Sequence, residues 1–499
     1  MTTRNVILLR QAILASLIVG VVGCAVGPDF HRPAPPEAKS YQSEPTSVPQ
    51  ADAQRLVETM DVPGQWWTLF HSVALNDLIV SALKANPDIA AAQAALRIAQ
   101  ENVYAQEGAY FPSVSANLNP TRQKTAGSLS AVPSSGAYIY SLHTAQLNIS
   151  YAPDVFGGNR RQVESLKAQA EAQRYQLEAT RLTLTSNLVN AAIQEASLRA
   201  QIEATQAIIA DQQHTLESFR TQFTLGQVAE ADVATQQAAL AQAQASLPPL
   251  QKQLVIQRDA IKALAGRFPD QEPDARFVLA DLQLPAELPL SLPSKLVEQR
   301  PDVRAAEAQL HSASAQIGVA VANRLPNFSI DGSIGSSANK FGDLFKAGTG
   351  FWSTAGNLTQ PIFEGSTLLH RQRAAEAAFD QASAQYQSTV IGAFQNVADA
   401  LHAVQIDTDA WKAALASECA AKHSLDIARN LLKLGSISIL SMLQAEQTWQ
   451  QARLMLIQAE ANRLADSAAL LQALGGGWWN RTDATASTTP MNRDQGSMP

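Results

Sequence analysis

The chain has 499 residues and a formal net charge of −7, which disfavours nucleic acid and anionic lipid surfaces as partners because both bind basic faces. Only 16% of its residues are charged, which is low for a soluble chain, where roughly a quarter is usual. A chain of this length would hold two to four ordinary domains.

The first 24 residues have the form of a secretory signal. Two arginines precede an apolar run at residues 12–22, and these 11 residues are too few to span a bilayer. Small residues then lead to Cys24, a pattern that predicts cleavage after residue 23 and attachment of acyl chains to Cys24. The alternative is an ordinary signal with an incidental cysteine. Ala25 comes next and favours sorting to the outer membrane over retention in the inner membrane.

No later stretch of about 20 apolar residues occurs, so no transmembrane helix is predicted, and a membrane-crossing part would have to be a β-barrel. Residues 25–65 are rich in proline and predict an extended tether. A helical pattern follows at residues 75–109. Ser72 or Asn76 would cap this helix, and Pro87 would either kink it or begin a new one.

Part of the chain is duplicated. The stretch from Pro87 to Ser115 recurs from Pro301 to Ser329, 214 residues later, without a gap in register. Each copy predicts a helix, a proline break and then a strand. A repeat of about 200 residues is too long for a solenoid unit, which usually has about 20–50 residues, so it indicates a duplicated structural half.

Each half is predicted to place two strands after its first helix, joined by loops at residues 127–136 and 335–350. Along these strands apolar side chains alternate with small or polar ones, which is the weak signature of a membrane barrel strand. The alternative is two amphipathic hairpins on a soluble core. The predicted apolar face comprises Val114, Ala116, Leu118, Ala145, Leu147, Ile149, Tyr151, Phe328, Ile330, Trp352, Thr354, Gly356 and Leu358.

Residues 159–225 contain neither proline nor glycine. They predict one helix of about 65 residues, or about 100 Å. Residues 366–434 are the counterpart in the second half. Apolar residues in the first of these helices recur every seven positions, which predicts left-handed supercoiling against neighbouring helices. The series is Leu188, Ile202, Ile209, Leu216 and Phe223, with Glu195 interrupting it.

Both long helices are predicted to end at a leucine–glycine pair, because glycine is the usual left-handed residue after a helix. The two pairs are Leu225-Gly226 and Leu434-Gly435. Each pair is followed by a further helix, which reaches residue 264 in the first half and residue 474 in the second. Pro248 and Pro249 predict a kink or a break in the first of these helices.

These patterns divide the chain into a signal peptide (1–23), a lipid-anchored proline-rich segment (24–70), a first repeat (71–266), a linker (267–293), a second repeat (294–476) and a C-terminal tail (477–499). Four strands cannot close a barrel, which needs at least about eight, and an open strand edge cannot face lipid. The chain is therefore predicted to oligomerise, and three copies would supply twelve strands.

Five motifs match those of one family in their order along the chain: Cys24 to Pro33, Trp66 to Phe70, Asn86 to Asp88, Gln299 to Val303, and Gly475 to Trp478. Over residues 24 to 479 the chain resembles the outer-membrane factors, the TolC-like channels, and most closely their lipoprotein branch, the NodT type. The resemblance implies an α+β membrane protein with two tandem repeats. In that fold a long α-helical barrel is continuous with a transmembrane β-barrel of four strands per chain, closed by a trimer.

The resemblance also implies a passive trimeric exit duct in the cell outer membrane, with its helical tunnel in the periplasm. Small hydrophobic or amphipathic compounds would leave through it. The implied partners are two further copies of the chain, a periplasmic adaptor (membrane fusion protein), an inner-membrane efflux pump and outer-membrane lipid. No catalysis and no cofactor are implied besides the covalent lipid on Cys24.

In related channels the tube closes near the turns after the long helices, where charged rings select ions. Glu230 and Asp232 are therefore candidate gate residues. The alternative is that they only favour the helix start through its dipole. Ser441 and Gln444 stand where related channels often have aspartates, so the second turn is not expected to add an acidic ring. The candidate adaptor-docking turns are Leu225, Gly226, Leu434 and Gly435, and the alternative there is plain helix termination.

The eight histidines are scattered without metal-binding spacing, so neither a metal site nor an enzyme is expected. A secreted hydrolase would need a nucleophile motif, and none is visible. The competing interpretation is a lipid-anchored periplasmic coiled-coil scaffold without a channel, against which the paired strands argue. Cys419, in a helical pattern, is predicted to be a small apolar residue, and four tryptophans to pack the chain ends: Trp66, Trp67, Trp478 and Trp479.

Overall fold

The structure is a computed structural model that describes residues 25–34, 36, 40–41, 54–57, 60–124, 126, 139–271, 275–290 and 293–481. Cys24, the signal segment, the loop at 127–136 and the tail beyond Arg481 lie outside the described residues. The chain divides into two compact units. The first comprises Met1–Pro33, Ala95–Gln173 and Ala305–Tyr386, and the second comprises Ala34–Ala94, Arg174–Arg304 and Gln387–Pro499.

The described helices are, in chain order, α1 (Val73–Ala85), α2 (Pro87–Glu107), α3 (Gly158–Thr224), α4 (Glu230–Leu264), α5 (Pro293–Gln299), α6 (Pro301–Ala322), α7 (Thr367–Lys433) and α8 (Ile439–Ala473). The strands are β1 (Arg55–Val57), β2 (Ser113–Lys124), β3 (Ile139–Tyr151), β4 (Glu287–Pro289), β5 (Asn327–Ala338) and β6 (Gly350–Thr359). Within the described residues, every helix lacks an apolar stretch long enough to cross a bilayer.

The same order of elements occurs in both halves of the chain. A helix, two strands, a long helix and a shorter helix appear as α2-β2-β3-α3-α4 and again as α6-β5-β6-α7-α8. The long helices α3 and α7 each have 67 residues, and α4 and α8 each have 35. At about 1.5 Å per residue each long helix extends for about 100 Å. The predicted long helices are confirmed to within one residue at each end.

The predicted helix at residues 75–109 is two helices, because the chain turns at Asn86. Ser72 caps α1, since its side chain accepts a hydrogen bond from the Leu75 amide at 3.4 Å. The alternative cap, Asn76, is wrong, because this residue lies inside α1. The Asn86 side chain accepts from the Asp88 amide at 2.8 Å, and Pro87 begins α2, where its missing N–H costs nothing.

The four longer strands form one antiparallel sheet in the order β2-β3-β5-β6. Val114 pairs with Ile149, Leu147 with Ile334, and Ile334 with Trp352, so the apolar residues of all four strands share one face. This face is exposed: Val114 is 64% accessible, Ile334 58% and Trp352 75%. The predicted alternation is therefore confirmed, and the described residues leave the apolar side of the sheet uncovered.

The opposite face of the sheet is polar and internally hydrogen-bonded. The Asp331 carboxylate accepts from the Ser150 hydroxyl at 2.6 Å, the Ser329 hydroxyl at 3.0 Å and the Asn357 amide at 2.7 Å. One side chain thus joins strands β3, β5 and β6. The predicted loop at 335–350 was too long, because Gly335 and Gly350 both lie in strands and the connection is residues 339–349.

The buried stripe of α3 departs from the predicted seven-residue series toward the end of the helix. Leu188 and Leu216 are buried as expected, at 0% and 5% accessibility, but Phe223 is 45% exposed and Phe219 takes its place at 4%. A straight helix repeats every 3.6 residues, so a fixed step of seven drifts by about 20° per heptad. Glu195, which interrupts the series, is fully buried and pairs with Arg199 at 2.5 Å.

Two proline-rich segments contain regular structure. Helix α4 is not broken at Pro248 and Pro249. The carbonyls that these prolines leave without a helical donor belong to the exposed residues Gln244 and Ala245, where water can bind them. The linker at 267–293 is also not wholly irregular, because β4 within it pairs in parallel with β1. Three-residue strands are too short to leave a pattern in the sequence.

The tryptophans pack the chain ends within the second unit. Trp66 and Trp67 are 1% and 4% accessible. The Trp478 indole donates to the Gln299 carbonyl at 2.6 Å, and its ring meets that of Tyr175 edge-on at 5.7 Å. The predicted packing role of these residues is confirmed. Cys419 lies exposed on α7 with a free thiol, so its predicted role as a small apolar residue of a helix does not extend to burial.

Candidate functional site

The two leucine–glycine turns have the same backbone geometry. Gly226 and Gly435 both have φ near +71°, a left-handed conformation that favours glycine. In the first turn the Gln227 amide donates to the Gln222 carbonyl at 2.9 Å, and in the second the Ser436 amide donates to the Leu431 carbonyl at 2.9 Å. This is the Schellman arrangement, which satisfies the last carbonyls of α3 and α7. Plain helix termination is therefore established for both turns.

Each turn also displays an exposed leucine. Leu225 is 67% accessible and Leu434 is 76% accessible. Exposure of an apolar leucine side chain to water is unfavourable, and these two side chains are available for contact with another molecule. No partner is present in the structure, and adaptor docking at these turns stays a prediction.

The helices after the turns are capped in complementary ways. Asp232, third in α4, accepts a hydrogen bond from the Ala229 amide at 3.1 Å through its carboxylate. In α8 the equivalent third residue is Ser441, and there the Ser438 side chain accepts from the Ser441 amide at 3.2 Å. A full capping box uses both bonds, and each turn has one of them. Asp232 is thus engaged in a structural bond, whereas Glu230 is exposed, as are Ser441 and Gln444.

A hydrophobic cluster lies beneath the turns and joins the helices of both halves. Its buried members come from α3, α7 and α8: Phe219, Leu425, Ala428 and Met442. Val233 from α4 and Ile437 from the second turn pack against it. Full burial of such side chains stabilises by about 1.5–3 kcal/mol each, so the ends of the two helical hairpins are held together mainly by apolar contact.

An ionic group links the same helices. Arg429 on α7 contacts Asp211 on α3 at 3.1 Å and Glu446 on α8 at 3.8 Å. Glu446 is 2% accessible, and one of its carboxylate oxygens has no hydrogen-bond partner. Burial raises the pKa of Glu446, which the Arg429 charge only partly opposes and the Asp211 charge reinforces. Sequence reasoning missed this carboxylate, because nothing distinguishes it from the exposed glutamates of the same helices.

In the first unit, Arg161 near the start of α3 holds the segment that follows Cys24. Its guanidinium donates to the Val26 carbonyl at 3.1 Å and forms ion pairs with Asp29 at 2.7 Å and Glu164 at 2.8 Å. The Arg161 side chain is only 6% exposed. Its hydrogen bond and charge lower the pKa of the Asp29 carboxyl. We call this set of contacts the Arg161 clamp.

Further contacts extend the clamp along the same segment. Phe30 stacks on His311 with ring centres 4.4 Å apart, and Arg32 pairs with Glu307 at 2.9 Å. Gly318 on α6 lets the segment approach closely, because a Cβ there would lie 2.9 Å from the Val26 carbonyl oxygen. In the sequence, the isolated Gly318 in a helical stretch could have indicated this close approach. It was missed because residues 25–65 were expected to be an extended tether.

The profile of the family described as outer membrane efflux protein matches residues 78–267 and 292–476. The two matches cover most of the chain and correspond to its two halves. The chain therefore belongs to the outer membrane efflux protein family. It is an outer-membrane protein of a class of channels rather than an enzyme, as the sequence predicted. Within the described residues no three potential metal ligands lie close enough to hold an ion.

Relatives and solved structures agree with this assignment over almost the whole chain. The pyoverdine export outer membrane protein OpmQ of Pseudomonas putida is 28% identical over 476 residues, covering 94% of this chain and 98% of the relative. The cation efflux system protein CusC of Escherichia coli O6:H1 is 26% identical, covering 92% and 97%. Among solved structures, the outer-membrane channel OprN superposes with a TM-score of 0.83 at 26% identity, covering 91% of this chain and all of that one. The open-state MtrE channel of Neisseria gonorrhoeae superposes with a TM-score of 0.80 at 27% identity, covering 92% of this chain and all of that one. The fold is that of the outer-membrane efflux channels.

Proposed function

We propose that this chain forms the passive exit duct of a tripartite efflux or export system in the outer membrane. One observation carries the proposal: a four-stranded sheet with an exposed apolar face and a polar opposite face belongs to a chain that also has two helices of about 100 Å. Such a sheet suits lipid on one side and water on the other. Small hydrophobic or amphipathic compounds are the proposed cargo.

The duct is proposed to be a homotrimer. Within the described part of the chain, the outer edges of β2 and β6 pair with no other strand. An unpaired edge in lipid leaves backbone groups without hydrogen bonds at a cost of several kcal/mol each, so the edges must meet those of other copies. Three copies supply twelve strands in a closed β-barrel continuous with a helical barrel. The covalent lipid on Cys24 is proposed to anchor each copy, and intact-mass measurement of the wild type against Cys24→Ser tests it.

A periplasmic adaptor and an inner-membrane pump are the proposed partners. The exposed Leu225 and Leu434 beside Gly226 and Gly435 are the proposed docking points for the adaptor. A photo-crosslinking residue in place of either leucine should capture the adaptor in cells, and capture at neither position would exclude these turns. Glu230 and Asp232 are the proposed gate residues, because both carry negative charge at the first turn.

Bilayer recording and an export assay together test the duct. The purified protein should give discrete conductance steps in a planar bilayer. Deleting its gene from cells that lack other outer-membrane channels of this family should raise sensitivity to a panel of amphipathic compounds, and the wild-type gene should reverse this. A lipid-anchored coiled-coil scaffold would give neither result, and no specific observation favours that alternative. Absence of both conductance and sensitivity would contradict the proposal.

A further inference from the structure

A cavity of about 1290 Å³ lies within the second unit, away from both turns along the helices. Helices α3, α7 and α8 and the segment before β4 line it. Its apolar floor is formed by buried side chains, among them Leu282, Ile457 and Leu464, which are 6%, 3% and 5% accessible. Concave sites with an apolar lining and a few polar groups are typical of binding sites for small molecules.

Arg463 on α8 lines this cavity, and the charge of Glu460 lies near it on the same helix. Arg463 is 9% accessible, and its Nε atom has no hydrogen-bond partner. Among the residues that the structure describes, no side chain forms a hydrogen bond or an ion pair with its guanidinium. A buried donor without an acceptor is costly, so this N–H group favours an acceptor supplied by a ligand.

Trp411 on α7 fixes the orientation of this guanidinium. The arginine lies over the indole ring with its central carbon 4.5 Å from the ring centre. Stacking of this kind uses the face of the guanidinium. The N–H groups point outward in the plane of the guanidinium, so the tryptophan holds the fork in place without satisfying its donors.

The charged side chains around the cavity, Arg463 included, are more often basic than acidic, in contrast to the net charge of −7 of the whole chain. Five basic residues line it against three acidic ones: Arg199, Arg276, Lys422, Arg453, Arg463, Glu203, Glu418 and Glu460. Two of these residues already have partners in the chain. Arg199 forms an ion pair with Glu195, and Glu418 accepts a hydrogen bond from the Trp449 indole at 3.0 Å. The excess of positive charge favours an anion at this site.

We propose that this cavity is a binding site for an amphipathic organic anion, whose carboxylate, sulfonate or phosphate group binds the guanidinium of Arg463 and whose apolar part covers the floor formed by Leu282, Ile457 and Leu464. Arginine forms strong charge-assisted hydrogen bonds with such groups in a bidentate arrangement. The apolar part adds affinity in proportion to the apolar area that it buries. The site is a property of the folded chain and does not depend on whether the channel exports the same compounds.

Two related probes test the site in the full-length protein reconstituted in zwitterionic nanodiscs, with empty nanodiscs as the blank. 8-Anilinonaphthalene-1-sulfonate is anionic, and N-phenyl-1-naphthylamine has the same ring systems without the sulfonate. Wild-type protein should bind the sulfonate probe saturably. Arg463→Gln should weaken that binding by about tenfold or more, because a hydrogen bond to a charged group is worth about 1.5–3 kcal/mol. The neutral probe should change less than about twofold.

Two further variants serve as controls. Arg463→Lys keeps the charge and should lose less affinity than Arg463→Gln. Arg220→Gln removes an exposed arginine of α3 that does not line the cavity and should leave binding nearly unchanged. Decanoate and dihexanoyl phosphatidate as competitors distinguish a free amphiphile from a lipid headgroup, and displacement by either supports the site. Absence of saturable binding, equal loss of both probes in Arg463→Gln, or unchanged binding of the sulfonate probe in that variant would overturn the proposal.

Discussion

Asp232 and Ser441 occupy the same position in their helices but perform different parts of the same capping arrangement. The Asp232 carboxylate binds the amide that precedes its helix, whereas Ser441 offers its own amide to Ser438. The charge of Asp232 is therefore not required for the cap, since the amide oxygen of an asparagine has the same reach and could accept the bond. Charge and hydrogen bonding at this residue can be separated by mutation.

Asp232→Asn should keep the cap and lose the charge, while Asp232→Ala should lose both. If the carboxylate contributes to the gate, both variants should reduce the cation selectivity measured from reversal potentials in a potassium chloride gradient. Only the alanine variant should also lower the free energy of unfolding, by about 0.5–1.5 kcal/mol for one hydrogen bond. Ser441→Ala is the matched control without a charge and should leave selectivity unchanged. Wild-type selectivity in Asp232→Asn would exclude a role for the carboxylate in the gate.

At the scale of the elements, α3, α7 and α8 are joined near the turns by an apolar cluster and by a group of charged residues. The cluster around Phe219 and Met442 consists of apolar side chains, which are stable in an interface without water. The charged group is not, because Glu446 is buried with its nearest cation 3.8 Å away. A buried carboxylate without good partners destabilises the interface that contains it once it is ionised.

The raised pKa of Glu446 predicts a specific dependence of stability on pH. As the pH rises above the ordinary glutamate value of about 4.3, the unfolded chain releases its proton before the folded chain does. The protonation of Glu446 therefore stabilises the folded state at low pH, and this stabilisation is lost as the pH rises through the raised pKa of Glu446. Glu446→Gln should raise the thermal midpoint of unfolding at pH 8 more than at pH 5. Glu217→Gln, at an exposed position on α3, should change neither, and an equal effect of Glu446→Gln at both pH values would contradict this assignment.

The sequence predicted the elements better than the contacts between them. The long helices and the alternating strands follow from periodicity and from the positions of glycine and proline, which act locally. Phe219 replaced Phe223 in the buried stripe because the neighbours of α3, rather than the sequence of α3 alone, determine which side is covered. Glu446 and Arg161 were missed for the same reason, since each is defined by residues far away in the chain.

At the scale of the whole molecule, each compact unit combines segments from both halves of the chain, and α3 and α7 contribute residues to both units. A half-chain would therefore lack part of either unit. The sheet shows the same dependence, because its central pair joins β3 of the first half to β5 of the second. Neither half of the chain is therefore a separable domain.

The same substitution should disrupt assembly on one face of this sheet and be tolerated on the other. Ile334→Arg places a charge on the exposed apolar face and should cost about 2–4 kcal/mol if that face meets lipid near the bilayer midplane. Ser333→Arg, one residue earlier, places the same charge on the polar face and should be tolerated. Heat-modifiable migration of the proposed trimer in membrane extracts should disappear in the first variant only. Equal assembly of both would contradict a lipid-facing apolar side.

The Arg161 clamp determines how much freedom a lipid anchor on Cys24 would have. Val26 is fixed through both its amide, which donates to the Phe156 carbonyl at 3.1 Å, and its carbonyl, which accepts from Arg161. Only Ala25 separates that residue from Cys24, and two residues reach at most about 7 Å. Acyl chains on Cys24 would therefore be held close to the folded chain instead of on a flexible segment. Each copy would enter the bilayer with its depth and its orientation already restricted.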